Sequence, residues 1–170
     1  NSQIKQIENL VNEFSDFARM PKPILKRNNL VKLLNENIKL LSEVNKSIEI
    51  NLNKKDEEIL LECDKEQISR VFINLIKNSI ESIEQKVEKN PDFKKKILID
   101  ISSNNDHILI SIEDNGIGFD KNNIEEILNP YYTTKKNGTG LGLSIVNKII
   151  NDHKGELQFI PISNGAKIQI

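Results

Sequence analysis

Three groups of residues have types and spacings that could do chemistry. In the first, Asn74, Asn78, Glu81 and Gln85 fall in one stripe if the segment is helical, because a helix turns about 100° per residue. Two carboxamides at i and i+4 can offer oxygens to a hard cation such as Mg²⁺, which takes few protein ligands and leaves room for phosphates. A solvated helix face explains the same stripe without any ligand. The second group is Glu113-Asp114-Asn115-Gly116-Ile117-Gly118-Phe119, directly after a strand pattern. A strand-end carboxylate can accept from a base's amino group while the following glycines let the backbone pass close to a ring. Asp-Asn-Gly is also ordinary turn chemistry. The third is Gly138-Thr139-Gly140-Leu141-Gly142-Leu143, opening a helix. Glycines there leave amides aimed at an anion, and the helix dipole adds about half a positive charge. The spacing fits neither a dinucleotide-binding fingerprint nor a P-loop, because the third glycine comes too soon and no Gly-Lys-Ser/Thr follows.

The elements that must position these groups are legible in the periodicity. Ile68, Val71, Phe72, Leu75, Ile76, Ser79, Ile80 and Ile83 mark the apolar side of a helix opened by Asp64 as N-cap, with Gln67 at the capping-box position, and running to about Lys89 before Asn90-Pro91. An earlier helix starts near Asn29, with Leu30, Leu33, Leu34, Ile38 and Leu41 on one face. Short β-type segments lie near 47–52 and 58–63. Ile97–Ser103 and Ile108–Asp114 alternate as an antiparallel pair around an Asn104-Asn105-Asp106 turn. A short helix is expected near 121–128, and a longer one from Gly140 to His153 with Gly155 as its C-cap. Strands 156–160 and 166–170 close the chain around Asn164-Gly165. The expected fold is α/β: a two-layer sandwich of a mixed, largely antiparallel sheet under three helices.

At the N-terminus, Ile4, Ile7, Val11, Phe14 and Ala18, flanked by Leu10 and Phe17, give a helix with a coiled-coil-like seam ended by Pro21-Lys22-Pro23. So short a seam needs a cover outside this chain or a second copy. The expected division is residues 1–20 as the end of that helix, 21–29 as linker and 30–170 as the main domain. Opening without Met inside a helical pattern, the chain reads as a piece of a longer protein. At 170 residues, with 37% hydrophobic and 29% charged residues, the composition is that of a globular domain. A net charge of −1 supplies no field for nucleic acid or an anionic membrane. Cys63, the single cysteine, excludes an internal disulfide and sits in an apolar run suited to a packed thiol. No stretch reaches the roughly 20 apolar residues of a membrane span.

In this order and spacing, the three groups resemble the N, G1 and G2 boxes of the ATPase superfamily that unites histidine kinases, gyrase-type ATPases, the heat-shock chaperone ATPase and mismatch-repair ATPases. Pro130-Tyr131-Tyr132-Thr133-Thr134-Lys135 resembles the kinase F box, and Val11-Asn12-Glu13-Phe14-Ser15-Asp16-Phe17-Ala18-Arg19-Met20-Pro21 resembles the end of the second dimerisation helix of NtrY-type nitrogen-regulation kinases. The resemblance implies a Bergerat ATP-binding fold after one helix of a dimerisation bundle. It implies Asn78 as Mg²⁺ ligand, Asn74 near the phosphates, Asp114 on adenine N6, and Gly116 and Gly118 beside the nucleotide. Gly138, Thr139, Gly140, Leu141 and Gly142 become the phosphate-binding turn. Residues 119–139 become a lid in which Tyr131 and Tyr132 form an apolar latch, Tyr132 and Thr134 line the nucleotide and Lys135 reaches the γ-phosphate. Asn78 and Lys135 would be the catalytic pair.

One departure is Glu81, where many histidine kinases have a phosphate-contacting cation; Glu81 resembles nitrogen-regulation and sporulation kinases instead, with Lys77 as a substitute contact. Hydrolases of the gyrase or mismatch-repair type carry a Glu four residues before the Mg²⁺-binding Asn. Here that position is Asn74, which cannot act as a base. A non-catalytic ATP-sensing module is the third class. The histidines, His107 opening a strand and His153 ending a helix, lack the acceptor context, so the acceptor is expected upstream of Asn1. The resemblance further implies ATP and Mg²⁺ as ligands, phosphotransfer to that His and on to a response-regulator Asp, a homodimer in the full-length protein, and a cytoplasmic domain of a bacterial protein anchored in the inner membrane through its upstream segments.

Overall fold

Asn29 begins a helix for a local reason: its side-chain carbonyl accepts from the amides of Val31 and Lys32, capping α1 (Leu30–Val44). In this computed structural model the chain is described at residues 4, 11, 14, 15, 19–88, 93–104, 106–119, 126–135 and 138–170. The strand β1 (Lys26–Asn29) lies before α1, then come β2 (Glu49–Lys54), β3 (Leu60–Cys63), α2 (Lys65–Val87), β4 (Lys96–Ser103), β5 (Ile108–Asp114), α3 (Gly142–Asp152), β6 (Gln158–Ile160) and β7 (Ala166–Gln169). Five strands form one mixed sheet in the order β2-β4-β5-β7-β6, with β2 parallel to β4 and the remaining pairs antiparallel. β1 and β3 make a separate antiparallel pair.

Helices and sheet meet along their apolar faces. The α2 residues expected to face the core are all buried, Phe72, Ile76 and Ile83 completely. Opposite them, Ile97, Ile99 and Ile101 of β4 and Ile110 and Ile112 of β5 point inward by strand alternation. Burying such side chains contributes about 1.5–3 kcal/mol each. From α1, Leu30, Leu33, Leu34 and Leu41 join this core while Ile38 is half-buried. Asn37 is buried as well, and its Nδ2 donates to Leu33 O at 2.8 Å and Ser69 Oγ at 3.3 Å, tying α1 to α2.

Several local expectations need correction. The capping box at Asp64 is one-sided: the Asp64 carboxylate accepts from the Glu66 and Gln67 amides, but Gln67 Nε2 donates to Pro21 O instead of returning to Asp64. The Asp64 amide donates to His153 Nε2 at 3.0 Å. Gly155 closes α3 without taking the left-handed position. Lys154 is the residue at φ +63, and the Lys154 amide bonds Asn151 O while that of Gly155 bonds Ile150 O. This is a Schellman motif in which a Cβ on Gly155 would press on Ile150 Cγ2 at 3.0 Å, a contact tight enough to favour glycine. The last two strands fall within their expected bounds, with β6 beginning two residues later than expected and residues 161–165 between β6 and β7. The helix expected near 121–128 falls mostly outside the described residues, and its described end, Glu126–Leu128, is a turn. At the N-terminus Ile4, Val11, Phe14 and Ser15 are helical, and Ile4, Val11 and Phe14 are exposed. Ile7, Leu10, Phe17 and Ala18 of the seam lie outside the described residues. Cys63 is buried and free, and burial pushes its thiol up.

Candidate nucleotide site

Strand alternation aims Asp114. It follows Ile110 and Ile112 at i+4 and i+2, so its carboxylate enters the helix layer instead of the open sheet face. There it is 4% exposed. It accepts from the Gly116 amide at 2.9 Å and from Ser82 Oγ at 3.2 Å, with Ser79 and the Ala166 backbone as further donors. Burial is the largest influence and raises its pKa above the ordinary 3.8, against the pull of those donors. A buried acceptor with a raised pKa at a strand end suits the exocyclic amino group of a base.

Close backbone approach around Asp114 requires glycine at two places. A Cβ on Gly165 would lie 1.8 Å from Asp114 O, at a φ of +92 that other residues rarely adopt. A Cβ on Gly116 would lie 2.3 Å from Ser82 Oγ. Lys86, at the far end of α2, ties down the same loops: its Nζ donates to Asn115 O at 2.7 Å, to Gly116 O at 3.0 Å and to Asn164 Oδ1, and lies 4.5 Å from the Phe93 ring centroid. Lys86, Gly116, Gly118, Phe119 and Gly165 line a cavity of about 430 Å³ beside Asp114's loop.

The remaining groups meet α2 further toward its N-terminus. Asn74 donates through Nδ2 to Arg70 O at 2.8 Å, which turns its Oδ1 toward Gly142; a Cβ on Gly142 would lie 3.2 Å from that oxygen. One turn on, Asn78 Oδ1 accepts from Lys135 Nζ at 2.9 Å, and Lys135 also pairs with Glu81. Ser82 follows one turn later on Asp114. Asn74, Asn78 and Ser82 are spaced i, i+4, i+8, so three stations line one edge of α2 over about 12 Å of rise. At the glycine-turn end, no side chain caps α3, whose N-cap is Leu141, so its first amides are presented as an anion site would need them. Gly140 has φ +71, and a Cβ there would lie 2.4 Å from Tyr131 C. Tyr131 is itself left-handed, at φ 71, and donates its amide to Gly140 O at 3.0 Å. The F-box segment is thereby joined to the glycine turn through backbone.

Most of the residues expected at the site are thus brought together: Asn74, Asn78, Asp114, Gly116, Lys135, Gly140, Leu141 and Gly142. Gly118, at φ +80, packs on Gly165 O; Gly138 abuts Thr133; Leu141 N donates to Thr139 Oγ1 at 3.4 Å. Lys77 and Thr134 are exposed and Tyr132 is half-buried. Tyr131 is 55% exposed and stacks on Phe14, with ring centroids 6.5 Å apart, so it latches to the N-terminal helix and not to the core. Ser79, Ser82, Lys86 and Gly165 are site residues that the sequence reading missed. Ser79 and Ser82 are three residues apart and so share a helix face, but their spacing alone does not mark them as donors to a carboxylate 32 residues from Ser82.

A two-layer α/β domain whose central helix carries a carboxamide row between a buried strand-end carboxylate and a glycine turn belongs to the ATP-binding sandwiches. Residues 63–170 match the family of histidine kinase-, DNA gyrase B- and HSP90-like ATPases, and the chain belongs to that family. Sporulation kinase E of Bacillus subtilis is 33% identical over 158 residues, 92% of this chain and 20% of that protein. Nitrogen regulation protein NtrY of Azorhizobium caulinodans is 33% identical over 172 residues, covering 99% of this chain and 22% of that protein. The chain therefore spans about a fifth of these relatives. Among solved structures, the catalytic domain of histidine kinase ThkA in a nucleotide-free form superposes with a TM-score of 0.75 at 30% identity, covering 86% of this chain and 93% of that one. ThkA in complex with the response regulator protein TrrA superposes with a TM-score of 0.79 at 25% identity, covering 99% of this chain and 47% of that one.

Proposed function

We infer that the chain binds Mg²⁺·ATP and is the catalytic domain of a protein-histidine kinase. The observation that carries this is the row on α2, which joins the adenine-type acceptor Asp114, the oxygen of Asn78 and the glycine turn at Gly142 along one edge. Asp114 accepts the adenine amino group. The amides of the Gly138–Gly142 turn take the phosphates, with Asn74 beside them. Asn78 fits a cation on the evidence of its own geometry, since its Oδ1 already accepts the Lys135 ammonium. A bound Mg²⁺ would neutralise phosphate charge there, and Lys135 would add a second positive charge once the nucleotide is in place. The protein's contribution is position and electrostatics.

Asn74 separates this reading from hydrolysis. Its amide nitrogen is spent on Arg70 O and its oxygen is a neutral acceptor, so it offers no base for water. The phosphoryl group then goes to a His of an upstream dimerisation domain and on to a response-regulator Asp, in a homodimer. In this reading the domain lies on the cytoplasmic side of a bacterial kinase anchored in the membrane through upstream segments, which the likeness to NtrY-type sensor kinases supports. Among the described residues no helix is long and apolar enough to cross a membrane. The test is intact-mass analysis after incubation with Mg²⁺·ATP and a separately supplied acceptor domain. Acid-labile phosphate on the acceptor supports the kinase; steady release of inorganic phosphate without labelled acceptor supports a hydrolase.

A further inference from the structure

Glu81 stands where the kinase pattern more often has a phosphate-contacting cation, and the structure gives it a partner. Lys135 Nζ donates to two acceptors on α2, Asn78 Oδ1 at 2.9 Å and the Glu81 carboxylate. Asn78 and Glu81 are three residues apart on a helix and so share a face. The lysine ammonium therefore sits on the oxygen assigned above to the metal. Two cations cannot share that oxygen at contact distance without strong repulsion.

Resting on the assignment of Asn78 as the metal-facing oxygen, we propose that Glu81 is a positioning residue that holds Lys135 on Asn78 when no nucleotide is bound, so that Mg²⁺·ATP must displace the lysine from both acceptors. The backbone around Lys135 is arranged for a side-chain swing and not for movement of the turn. Its amide donates to Thr133 Oγ1 at 3.1 Å, its carbonyl accepts from the Gly138 amide at 3.2 Å, and a Cβ on Gly138 would lie 2.4 Å from Thr133 Oγ1. The Tyr131–Gly140 bond fixes the same segment to the phosphate-binding turn. Rotation about the lysine's own bonds thus carries the ammonium from Glu81 toward whatever occupies that turn. The Glu81 side chain is 48% exposed and that of Lys135 32%, so solvent screens the pair. Its strength biases binding without blocking it, by roughly two- to five-fold in affinity.

Calorimetry on the parent chain, Glu81→Gln, Lys135→Met and the double variant decides the matter, with Mg²⁺·ATP and metal-free ADP as ligands. Glu81→Gln should tighten Mg²⁺·ATP by about two- to five-fold and leave metal-free ADP unchanged. In the Lys135→Met background the same change should have no effect, because the two residues act as one unit. Equal tightening in both backgrounds would overturn the proposal, leaving Glu81 as a negative charge near phosphate. Unchanged or weaker Mg²⁺·ATP binding by Glu81→Gln would overturn it too. A parent that binds neither nucleotide would sink the ATP reading itself and this proposal with it, an outcome distinct from a parent that binds normally in an additive cycle.

Discussion

Asp114 shows how one residue's burial becomes a functional prediction. Its folded-state pKa is raised above 3.8, chiefly by burial, so the folded protein holds that proton more tightly than the unfolded chain. Ionised Asp114 therefore costs stability at neutral pH, and the cost is relieved as pH falls through the folded pKa toward 3.8. The amino group of adenine needs the ionised carboxylate as acceptor, so ATP affinity should fall over that same window, starting above the ordinary carboxylate range. Asp114→Ala should weaken ATP binding by roughly 10- to 150-fold at neutral pH, the equivalent of one charge-assisted hydrogen bond. Calorimetry between pH 5 and 8 on both proteins checks it, and affinity unchanged by the substitution would remove Asp114 from the adenine site. Asn78 makes a separate prediction. Asn78→Ala should abolish phosphotransfer while shifting the melting temperature little, since Asn78 lies outside the buried face of α2. A collapsed melting temperature would make Asn78 a structural residue. Asp64 runs the other way in pH. Burial would raise it, but the amides of Ile24, Gln67 and Glu66, with His153, hold its pKa below 3.8. Its support for the α2 cap is present at neutral pH and is lost as pH falls through that lowered value.

Among elements, α2 was the most legible. Its apolar residues recur at helical spacing, and every one expected in the core is there. Truncating Phe72, completely buried in the core, should cost about 3–5 kcal/mol, measured by denaturant unfolding. The edges of the site were less legible because their partners are distant in sequence. Ser82 and Asp114 are 32 residues apart, and nothing near Ser82 marks it as a carboxylate donor. Gly165 looked like turn chemistry, whereas its absent side chain makes room for the Asp114 carbonyl. β1 escaped notice because Lys26–Asn29 is polar throughout; its pairing is set by β3 and by Asn28 Nδ2 on Cys63 O at 2.9 Å, a contact 35 residues away. The segment 126–135 was expected within a lid. Backbone amide exchange there should slow when Mg²⁺·ATP binds, because the Tyr131 amide bonds Gly140 O and so ties the segment to the glycine turn that the phosphates would order. Equal protection with and without nucleotide would count against a lid.

At the scale of the whole molecule, the proposed kinase activity requires a histidine from elsewhere. His153 is committed to structure: Nδ1 lies 2.8 Å from Ile149 O, and Nε2 accepts from the Asp64 amide, joining the end of α3 to the start of α2. His107 begins the β4–β5 hairpin's return and accepts at its carbonyl from Asn104. Incubated alone with γ-labelled ATP, the chain should bind nucleotide without labelling either histidine. An acceptor domain supplied separately should label slowly, because tethering normally provides an effective concentration of order millimolar. Phosphate mapped to His107 or His153 by mass spectrometry would overturn the need for an outside acceptor.

The central claim is that one edge of α2 carries the nucleotide, from adenine at Asp114 to phosphate at the Gly142 turn. Titrating Mg²⁺·ATP into isotopically labelled protein and following backbone amide resonances tests it most directly. The largest shifts are expected at Asn74, Asn78, Ser82, Gly116 and the Gly140–Gly142 turn, with the outer sheet face at Asp100 and Leu109 unmoved. Shifts confined to the sheet face or the β1–β3 pair, or no shifts at millimolar nucleotide, would contradict it.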